Sequence, residues 1–290
     1  MKPKKNTSPI LIVGATGTVG TELVNQLTQD DHPVRILTRN PQKAVRFGNS
    51  VEVIVGDLDN PTSLKPAMQG VDRFFLITLS TQQDKNVLAV AREAGTRHVV
   101  KISTQEAGWT PVEGHGHWHK EREEVIRSSG LAWTFLRPSM YMNFALSWAP
   151  GIRLENAIRL AGGDGRLPPI DPWDVAAVAK AALTTPGHEN QGYTITGPEL
   201  LSFTDIAAMF SKVLGRPVRR IEISEAEQAE DFMKMGVPKY VADGLAETFS
   251  LIRAGRFANR TDDVVKVTGR QPRTFENWLR DHISAFSPAD

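Results

Sequence analysis

The stretch ILIVGATGTVG, residues 10–20, decides the fold of this 290-residue chain. Its first four residues are apolar and predict a buried strand, which runs directly into three glycines spaced three apart. Apolar residues then recur at helical spacing from Val19 onward, so a helix is expected directly after the turn. A turn this tight requires glycine, because a side chain would block both the bend and the approach of a phosphate.

The predicted helix start is a natural seat for a pyrophosphate. Its free backbone N–H groups and the positive end of its dipole both favour an anion. A second apolar stretch, Val34–Thr38, closes a unit of about thirty residues, as a Rossmann βαβ unit requires. We therefore predict dinucleotide binding, with contacts from the turn and the first helical residues: Gly14, Thr16, Gly17, Thr18, Val19 and Gly20.

The spacing Gly-x-x-Gly-x-x-Gly in VGATGTVG resembles the fingerprint of extended and atypical short-chain dehydrogenases. Together with two later runs, SGLAWTFLRP and TGPELLSFTDIAAMFSKVLGRPV, it resembles the NmrA-like family. This resemblance covers nearly the whole chain. It implies NAD(P)H-dependent reduction of quinones, azo dyes or triphenylmethane dyes, although some members of the family bind the nucleotide only to sense it.

Composition narrows the class of protein. A hydrophobic content of 40% and a charged content of 23% are typical of a soluble globular protein. A net charge of +1 gives no reason to expect nucleic acid or an anionic membrane as a partner. No apolar run approaches the roughly 18 residues of a membrane helix. The absence of cysteine excludes disulfides and thiol chemistry and fits a cytoplasmic protein, and the basic opening MKPKK is expected to be a disordered tail rather than a signal peptide.

The end of the second predicted strand indicates which nicotinamide cofactor is bound. Arg39 stands nineteen residues after Gly20, where NAD-specific Rossmann proteins place an acid for the ribose 2′-hydroxyl. No Asp or Glu occurs between Asp31 and Glu52. Arg39, helped by Lys43, would instead bind a 2′-phosphate, although a solvated basic turn is the alternative. We predict NADPH.

Strands that alternate with helices through short connections predict a parallel sheet with helices on both faces, a doubly wound α/β fold. Ligands of such sheets lie along the C-terminal ends of the strands. Asp57 and Leu58 follow the third strand in a Gly-Asp pair that matches the family pattern, and Asp57 could equally cap the next helix. Ile77 and Thr78 end the fourth strand and are expected at the same edge.

The usual acid of short-chain dehydrogenases is absent. Those enzymes carry Tyr-x-x-x-Lys, but none of the three tyrosines here has a lysine four residues later. By the resemblance, a histidine or lysine near the start of the helix within GHGHWHKEREE points toward the nicotinamide, and that position is His119. His119 is either a proton donor or a packing residue. His115 and His117 alternate with it, but no fourth ligand is evident, so we expect no metal.

Three further residues are candidates for the active site. By the resemblance, Ser103, at the end of the fifth strand, hydrogen-bonds the substrate, and capping the next segment is its alternative role. Pro138 stops the sixth strand within the Leu-Arg-Pro signature and is expected to contact the nicotinamide end of the cofactor. Tyr141 is a catalytic candidate whose commoner role would be packing.

We expect a Rossmann domain over residues 8–150, with 170–197 returning to it, and a smaller, mainly helical substrate lobe over 198–290. Methionines and aromatic residues near the predicted cleft favour a flat, apolar substrate. The predicted function is NADPH-dependent hydride transfer to a planar acceptor, namely a quinone, an azo or triphenylmethane dye, or a conjugated imine or enone. The alternative is a non-catalytic sensor of the NADPH/NADP ratio that regulates a partner. A homodimer is compatible with the sequence.

Overall fold

A computed structural model describes residues 8–287, so the basic opening lies outside the described residues. The strands in this range are β1 (Ile10–Val13), β2 (Val34–Thr38), β3 (Val51–Val55), β4 (Arg73–Leu76), β5 (His98–Ile102), β6 (Ala132–Pro138), β7 (Ala157–Leu160), β8 (Arg166–Leu167), β9 (Gln191–Ile195), β10 (Leu201–Ser202) and β11 (Arg219–Glu222). The α-helices are α1 (Thr18–Gln29), α2 (Pro61–Met68), α3 (Thr81–Glu93), α4 (Gly116–Arg127), α5 (Ala149–Glu155), α6 (Pro172–Thr184), α7 (Phe203–Leu214), α8 (Glu225–Lys234), α9 (Lys239–Arg253), α10 (Asp263–Thr268) and α11 (Phe275–Asp281). Short 3-10 helices cover Pro41–Ser50, Gln105–Gly108, Met142–Trp148 and Ile283–Ala285.

Seven strands form one sheet in the order β3-β2-β1-β4-β5-β6-β9. The neighbouring strands from β3 to β6 all pair in parallel. The strand order reverses between β1 and β4, and Rossmann sheets hold their ligands at the strand C-termini beside such a switch point. The predicted doubly wound α/β fold is confirmed.

Helices cover both faces of this sheet because its inner strands are apolar on both sides. All four residues of β1 are buried, as expected for an inner strand of a parallel sheet. Helix α1 turns its buried face, which includes Leu23 and Leu27, inward and packs against α6. On the other face, Leu64 of α2, Leu88 of α3 and Ile126 of α4 join one core cluster with residues of β1 and β4.

The chain divides into two compact units. The first unit consists of the described residues up to Gly108, with Trp118–Arg137 and Pro172–Tyr193. The second unit consists of Trp109–His117, Pro138–Asp171 and the described residues from Thr194 on. These boundaries differ from the expected ones, because residues 109–117 and 138–150 fall in the second unit. The reason is that side chains there, such as Met142 and Trp148, pack into the core of that unit.

The second unit is mainly helical, with a core of its own. Large aromatic side chains dominate this core: Trp148, Phe203, Phe210, Phe249, Phe275, Trp278 and Phe286. Helix α7 begins with a capping box in which Ser202 and Asp205 satisfy each other's backbone N–H groups. Across residues 8–287, no helix combines the length and the apolar character needed to cross a bilayer.

Candidate functional site

The glycine turn after β1 is a cradle of bare backbone. Gly14 has φ +93°, and a Cβ built there would lie 2.9 Å from Cβ of Ile77. A Cβ at Gly20 would lie 2.1 Å from the carbonyl oxygen of Gly14, so α1 approaches the turn more closely than any side chain allows. Gly17 is the N-cap of α1 and has no side-chain capping bond. The first N–H groups of α1 are therefore not capped by a side chain, which suits an anion.

Two side chains hold the carbonyl groups of this turn. The hydroxyl of Thr21 donates toward the carbonyl oxygens of Gly17 and Ala15, at 2.7 and 3.2 Å. Arg46 donates from NH2 to the carbonyl oxygen of Thr16 at 2.9 Å and to Thr21 Oγ1 at 2.6 Å. Because a peptide plane directs its C=O and the next N–H in opposite directions, these bonds also fix where the turn's N–H groups point. Arg46 was missed from the sequence, where nothing distinguishes it from a solvated basic residue.

A cleft of about 260 Å³ opens beside the turn, at the C-terminal edge of β1 to β4. It is lined by eight of the predicted cofactor contacts: Gly14, Thr16, Arg39, Lys43, Asp57, Leu58, Ile77 and Thr78. Of the others, Gly17, Thr18, Val19 and Gly20 lie in the turn and the first turn of α1, and Pro138 belongs to the second unit. The cleft also has an apolar wall in Leu79, whose side chain is 84% exposed.

Arg39 and Lys43 stand on the rim of this cleft as exposed cations. Among residues 8–287, neither side chain makes a hydrogen bond or an ion pair. Arg39 directly follows β2, and Lys43 lies in the 3-10 helix that Asn40 caps. Two cations without protein partners at this position are what a 2′-phosphate requires.

Asp57 is the carboxylate on the lining of this cleft. Its Oδ1 accepts the backbone N–H of Asp59 at 3.1 Å, which stabilises the turn after β3. The N-cap of α2 is Asn60, so the alternative role of Asp57 as helix cap is wrong. Leu58 lies beside it, and its carbonyl oxygen accepts a bond from Asn86 at 2.8 Å.

Thr78 lies at the wall of the cleft, but its hydroxyl is hydrogen-bonded to other side chains of the protein. Its Oγ1 donates to Asp84 at 2.5 Å and accepts from Lys101 Nζ at 2.8 Å. Arg122 donates to the carbonyl oxygen of Thr78 at 2.6 Å, to Thr78 Oγ1, and to Asp84 Oδ2 at 2.7 Å. These partners were not predicted from the sequence. The available signal was a lysine between the apolar residues of the strand HVVKI.

Ser103 is buried, and its hydroxyl donates to Glu123 Oε1 at 2.7 Å. Arg137 bonds both oxygens of the same carboxylate, so Ser103 belongs to a buried ionic network. This contact is neither of the two roles expected from the sequence, substrate binding or capping. Glu123 was not among the site residues predicted from the sequence.

His119 lies in the first turn of α4 and is half-buried. One turn further along the helix is Glu123, as the spacing predicts. The two neighbouring histidines do not lie beside His119 as a group. His115 Nδ1 contacts Thr248 Oγ1 at 3.1 Å in the second unit, and His117 is exposed. Within the described part of the chain, no three His, Cys, Asp or Glu side chains are grouped to hold a metal ion.

Pro138 and Tyr141 belong to the second unit. Pro138 is buried at the end of β6, and Tyr141 forms a bridge with Ile170. Burial raises the pKa of the Tyr141 phenol, the opposite of what a proton donor near neutral pH needs. The hydroxyl of Tyr193 contacts His188 Nδ1 at 2.8 Å, and Tyr240 is 70% exposed.

Comparison with known proteins shows the family of this chain. The model of the NmrA-like family matches residues 6–279. A (4-alkanoyl-5-oxo-2,5-dihydrofuran-3-yl)methyl phosphate reductase of Streptomyces griseus is 39% identical over 96% of this chain and 99% of its own. An NAD(P)H azoreductase of Xenophilus azovorans is 37% identical over 97% and 100%. The structure of an NADPH-dependent quinone oxidoreductase from Escherichia coli in complex with NADPH superposes with a TM-score of 0.85, at 28% identity over 95% of this chain and 99% of the other. The chain therefore belongs to the NmrA-like family.

Proposed function

We propose that this protein is an NADPH-dependent reductase that transfers hydride to a planar, conjugated acceptor. The acceptor class comprises quinones, azo and triphenylmethane dyes, and conjugated imines or enones. The observation that carries the proposal is a pair of cations, Arg39 and Lys43, which make no ion pair within residues 8–287 and stand on the rim of a cleft beside the glycine turn.

The relatives support the same reaction class. The azoreductase and the quinone oxidoreductase are named for flat, electron-poor acceptors. The Streptomyces griseus relative is named for an alkanoyl dihydrofuranone, a ring in which a carbon–carbon double bond can be conjugated with carbonyl groups. Each of these acceptors can accept hydride without the strong acid help that a simple ketone needs.

The chain's own residues bind and orient the cofactor in this proposal. The turn at Gly14 receives the pyrophosphate at the N-terminus of α1, and Arg39 and Lys43 hold the 2′-phosphate. Bound NADPH supplies the hydride. His119 is the proposed proton donor, because imidazole titrates near neutral pH and the Tyr-x-x-x-Lys acid is absent. Quinones and cationic dyes need little proton transfer in the slow step, which makes the missing tyrosine compatible with turnover.

The test is NADPH oxidation by the purified protein with menadione, methyl red, malachite green and 2-cyclohexenone, with cyclohexanone as the unactivated control. We expect turnover of one or more of the activated acceptors and almost none of cyclohexanone. Tight NADPH binding without turnover of any acceptor would overturn the reductase in favour of a sensor. Rapid turnover of cyclohexanone would contradict the assignment of the acceptor class.

A further inference from the structure

Four residues behind the wall of the cleft form a buried group that the proposed function does not use. We call Thr78, Asp84, Lys101 and Arg122 the Thr78 cluster. Thr78 Oγ1 bonds Lys101 and Asp84, and Arg122 bonds both Asp84 and the backbone of Thr78. Each member is less than 10% exposed, with Lys101 at 2% and Asp84 at 0%.

The charges of the Thr78 cluster do not balance. Lys101 and Arg122 are cations, and within residues 8–287 Asp84 is the one carboxylate in contact with them, at 3.3 Å from Lys101 Nζ and 2.7 Å from Arg122 Nε. The sheet neighbours of Lys101, Leu76 and Phe135, are apolar. Burying an unmatched charge lowers stability, so the second cation is poorly explained by a role in stability alone.

A further carboxylate that acts on Lys101 is already matched. Glu123 influences Lys101 electrostatically, but both of its oxygens are bonded to Arg137, and Ser103 also donates to it. The groups that act on Lys101 are therefore Asp84 of α3, and Arg122 and Glu123 of α4. Lys101, Arg122 and Arg137 carry three positive charges against the two carboxylates of Asp84 and Glu123, so one positive charge remains in excess.

That charge lies close to where an anionic ligand would bind. Thr78 lines the cleft, and Lys101 Nζ lies 2.8 Å from Thr78 Oγ1, on the side of Thr78 inside the protein. Little water separates a charge at this depth from the cleft, so its field is weakly screened there. A dinucleotide carrying several phosphate charges would complete the balance.

We propose that the Thr78 cluster is an electrostatic binding element of the cofactor cleft, in which the charge on Lys101 strengthens dinucleotide binding and its deprotonation weakens it. The inference rests on the proposed function, because it takes NADPH as the anion. Lys101 acts through Thr78 and the field behind it, so it is a positioning residue and not a catalytic one.

The direction of the pH dependence follows from the protonation of Lys101. Burial lowers the pKa of Lys101 to about 8, opposed by the nearby Asp84 carboxylate. Bound phosphate favours the charged lysine, so the pKa of Lys101 is higher in the complex than in the free protein. The affinity for NADPH is therefore constant below the pKa that Lys101 has in the free protein. It falls as pH rises through that value and levels off above the pKa that Lys101 has in the complex. Each unit between the two pKa values lowers the affinity about tenfold.

The experiment is the dissociation constant for NADPH of the full chain from about pH 6.5 to 9.5, at fixed ionic strength. In the unmodified protein we expect the affinity for NADPH to fall about tenfold from the neutral to the alkaline end of this range. Lys101→Met should remove this fall and weaken binding near neutral pH by a similar factor, while its melting temperature without cofactor stays equal or rises. Lys65→Met is the matched control, because it removes the same charge from an exposed position on α2.

A second variant keeps the test decisive if Lys101→Met does not fold. Asp84→Asn removes the carboxylate that favours the charged lysine, so the fall in affinity should move to lower pH. A dissociation constant that does not change with pH in the unmodified protein would overturn the inference, as would a folded Lys101→Met variant with an unchanged alkaline fall. Failure to bind NADPH at neutral pH would instead overturn the proposed function.

Discussion

Glu123 and Arg137 form a two-point ion pair, in which Nε and NH2 of Arg137 lie 2.8 and 2.6 Å from the two carboxylate oxygens of Glu123. Glu123 is fully buried and also accepts the hydroxyl of Ser103. The pair joins α4 to β6, the last of the strands in the parallel run from β3. It fixes the helix that carries His119.

Glu123→Ala should lower the free energy of unfolding by about 3–5 kcal/mol, because it leaves the Arg137 charge largely buried without its partner. Urea unfolding followed by circular dichroism measures this loss. Glu124→Gln is the control on the neighbouring, 56% exposed position, and it should change the free energy by no more than about 0.5 kcal/mol. Equal effects of the two substitutions would show that the buried pair is not a stabilising contact.

Arg39 should determine the preference for NADPH. A guanidinium–phosphate bond contributes roughly 1.5–3 kcal/mol, which corresponds to about ten- to a hundred-fold in affinity. Arg39→Ala should remove most of the preference by weakening NADPH and leaving NADH nearly unchanged. Paired dissociation constants measure this, with Arg39→Ala/Lys43→Ala as the stricter test and Lys65→Ala as the control. Equal affinities for the two cofactors in the unmodified protein would contradict the assignment.

Arg46 should affect both cofactors alike. Its bonds to the carbonyl oxygen of Thr16 and to Thr21 hold the glycine turn, which meets the pyrophosphate that NADPH and NADH share. Arg46→Ala should therefore weaken each by about three- to tenfold, since a net hydrogen bond is worth about 1 kcal/mol. Arg46→Lys should restore part of the loss. A loss confined to NADPH would instead make Arg46 a ligand of the 2′-phosphate.

His119→Ala should lower kcat for 2-cyclohexenone by about a hundredfold while leaving NADPH affinity nearly unchanged, because an enone needs a proton in the slow step. The pH profile of kcat should also lose a limb near neutrality. Menadione serves as the internal control, since its reduction depends less on proton donation. Equal losses with both acceptors, or weakened NADPH binding, would return His119 to a structural role.

His98 should make the fold sensitive to mild acid. The ring is 2% exposed, Nε2 contacts Thr134 Oγ1 at 2.9 Å, and burial together with the Arg73 charge lowers the pKa of His98 to about 4. The unfolded chain keeps a value near 6.5, so it binds the proton first as pH falls. The stability that the neutral His98 ring contributes is fully present above about pH 6.5. It is lost progressively toward pH 4, by about 3 kcal/mol in all.

His98→Gln should flatten the dependence of unfolding free energy on pH between about 4 and 6.5. The measurement is a series of urea titrations over that range. His117→Gln is the control, because His117 is exposed and its removal should leave the slope unchanged. A slope that persists in His98→Gln would assign the acid sensitivity to other groups.

The sequence predicted the sheet well because its signals are local. The glycine turn and the apolar strands need no distant partner to be recognised, and β1 and β2 begin and end at the predicted residues. The residues that line the cleft could also be predicted, because parallel strands end at one edge of a sheet. Arg39 and Lys43 were visible because nothing acidic lies near them in sequence.

The contacts of Ser103 and Thr78 could not be predicted in this way. Each depends on charged partners 20 or more residues away, Glu123 for Ser103, and Lys101 and Arg122 for Thr78. Sequence spacing does not show which buried lysine or glutamate meets which hydroxyl. The division into two compact units differs from the expected domain boundaries for a similar reason, since residues 138–150 pack in the second unit through side chains whose partners lie beyond residue 200.

The alternation of the two units along the chain constrains how this protein can be made and recombined. The first unit is complete only when Tyr193 of 290 residues has been synthesised, and the second requires segments from Trp109 onward. Neither unit is a contiguous gene segment, so no single crossover between related genes exchanges one unit intact. During synthesis, residues 109–117 and 138–171 emerge before α7, α9 and α11, with which they form the second unit.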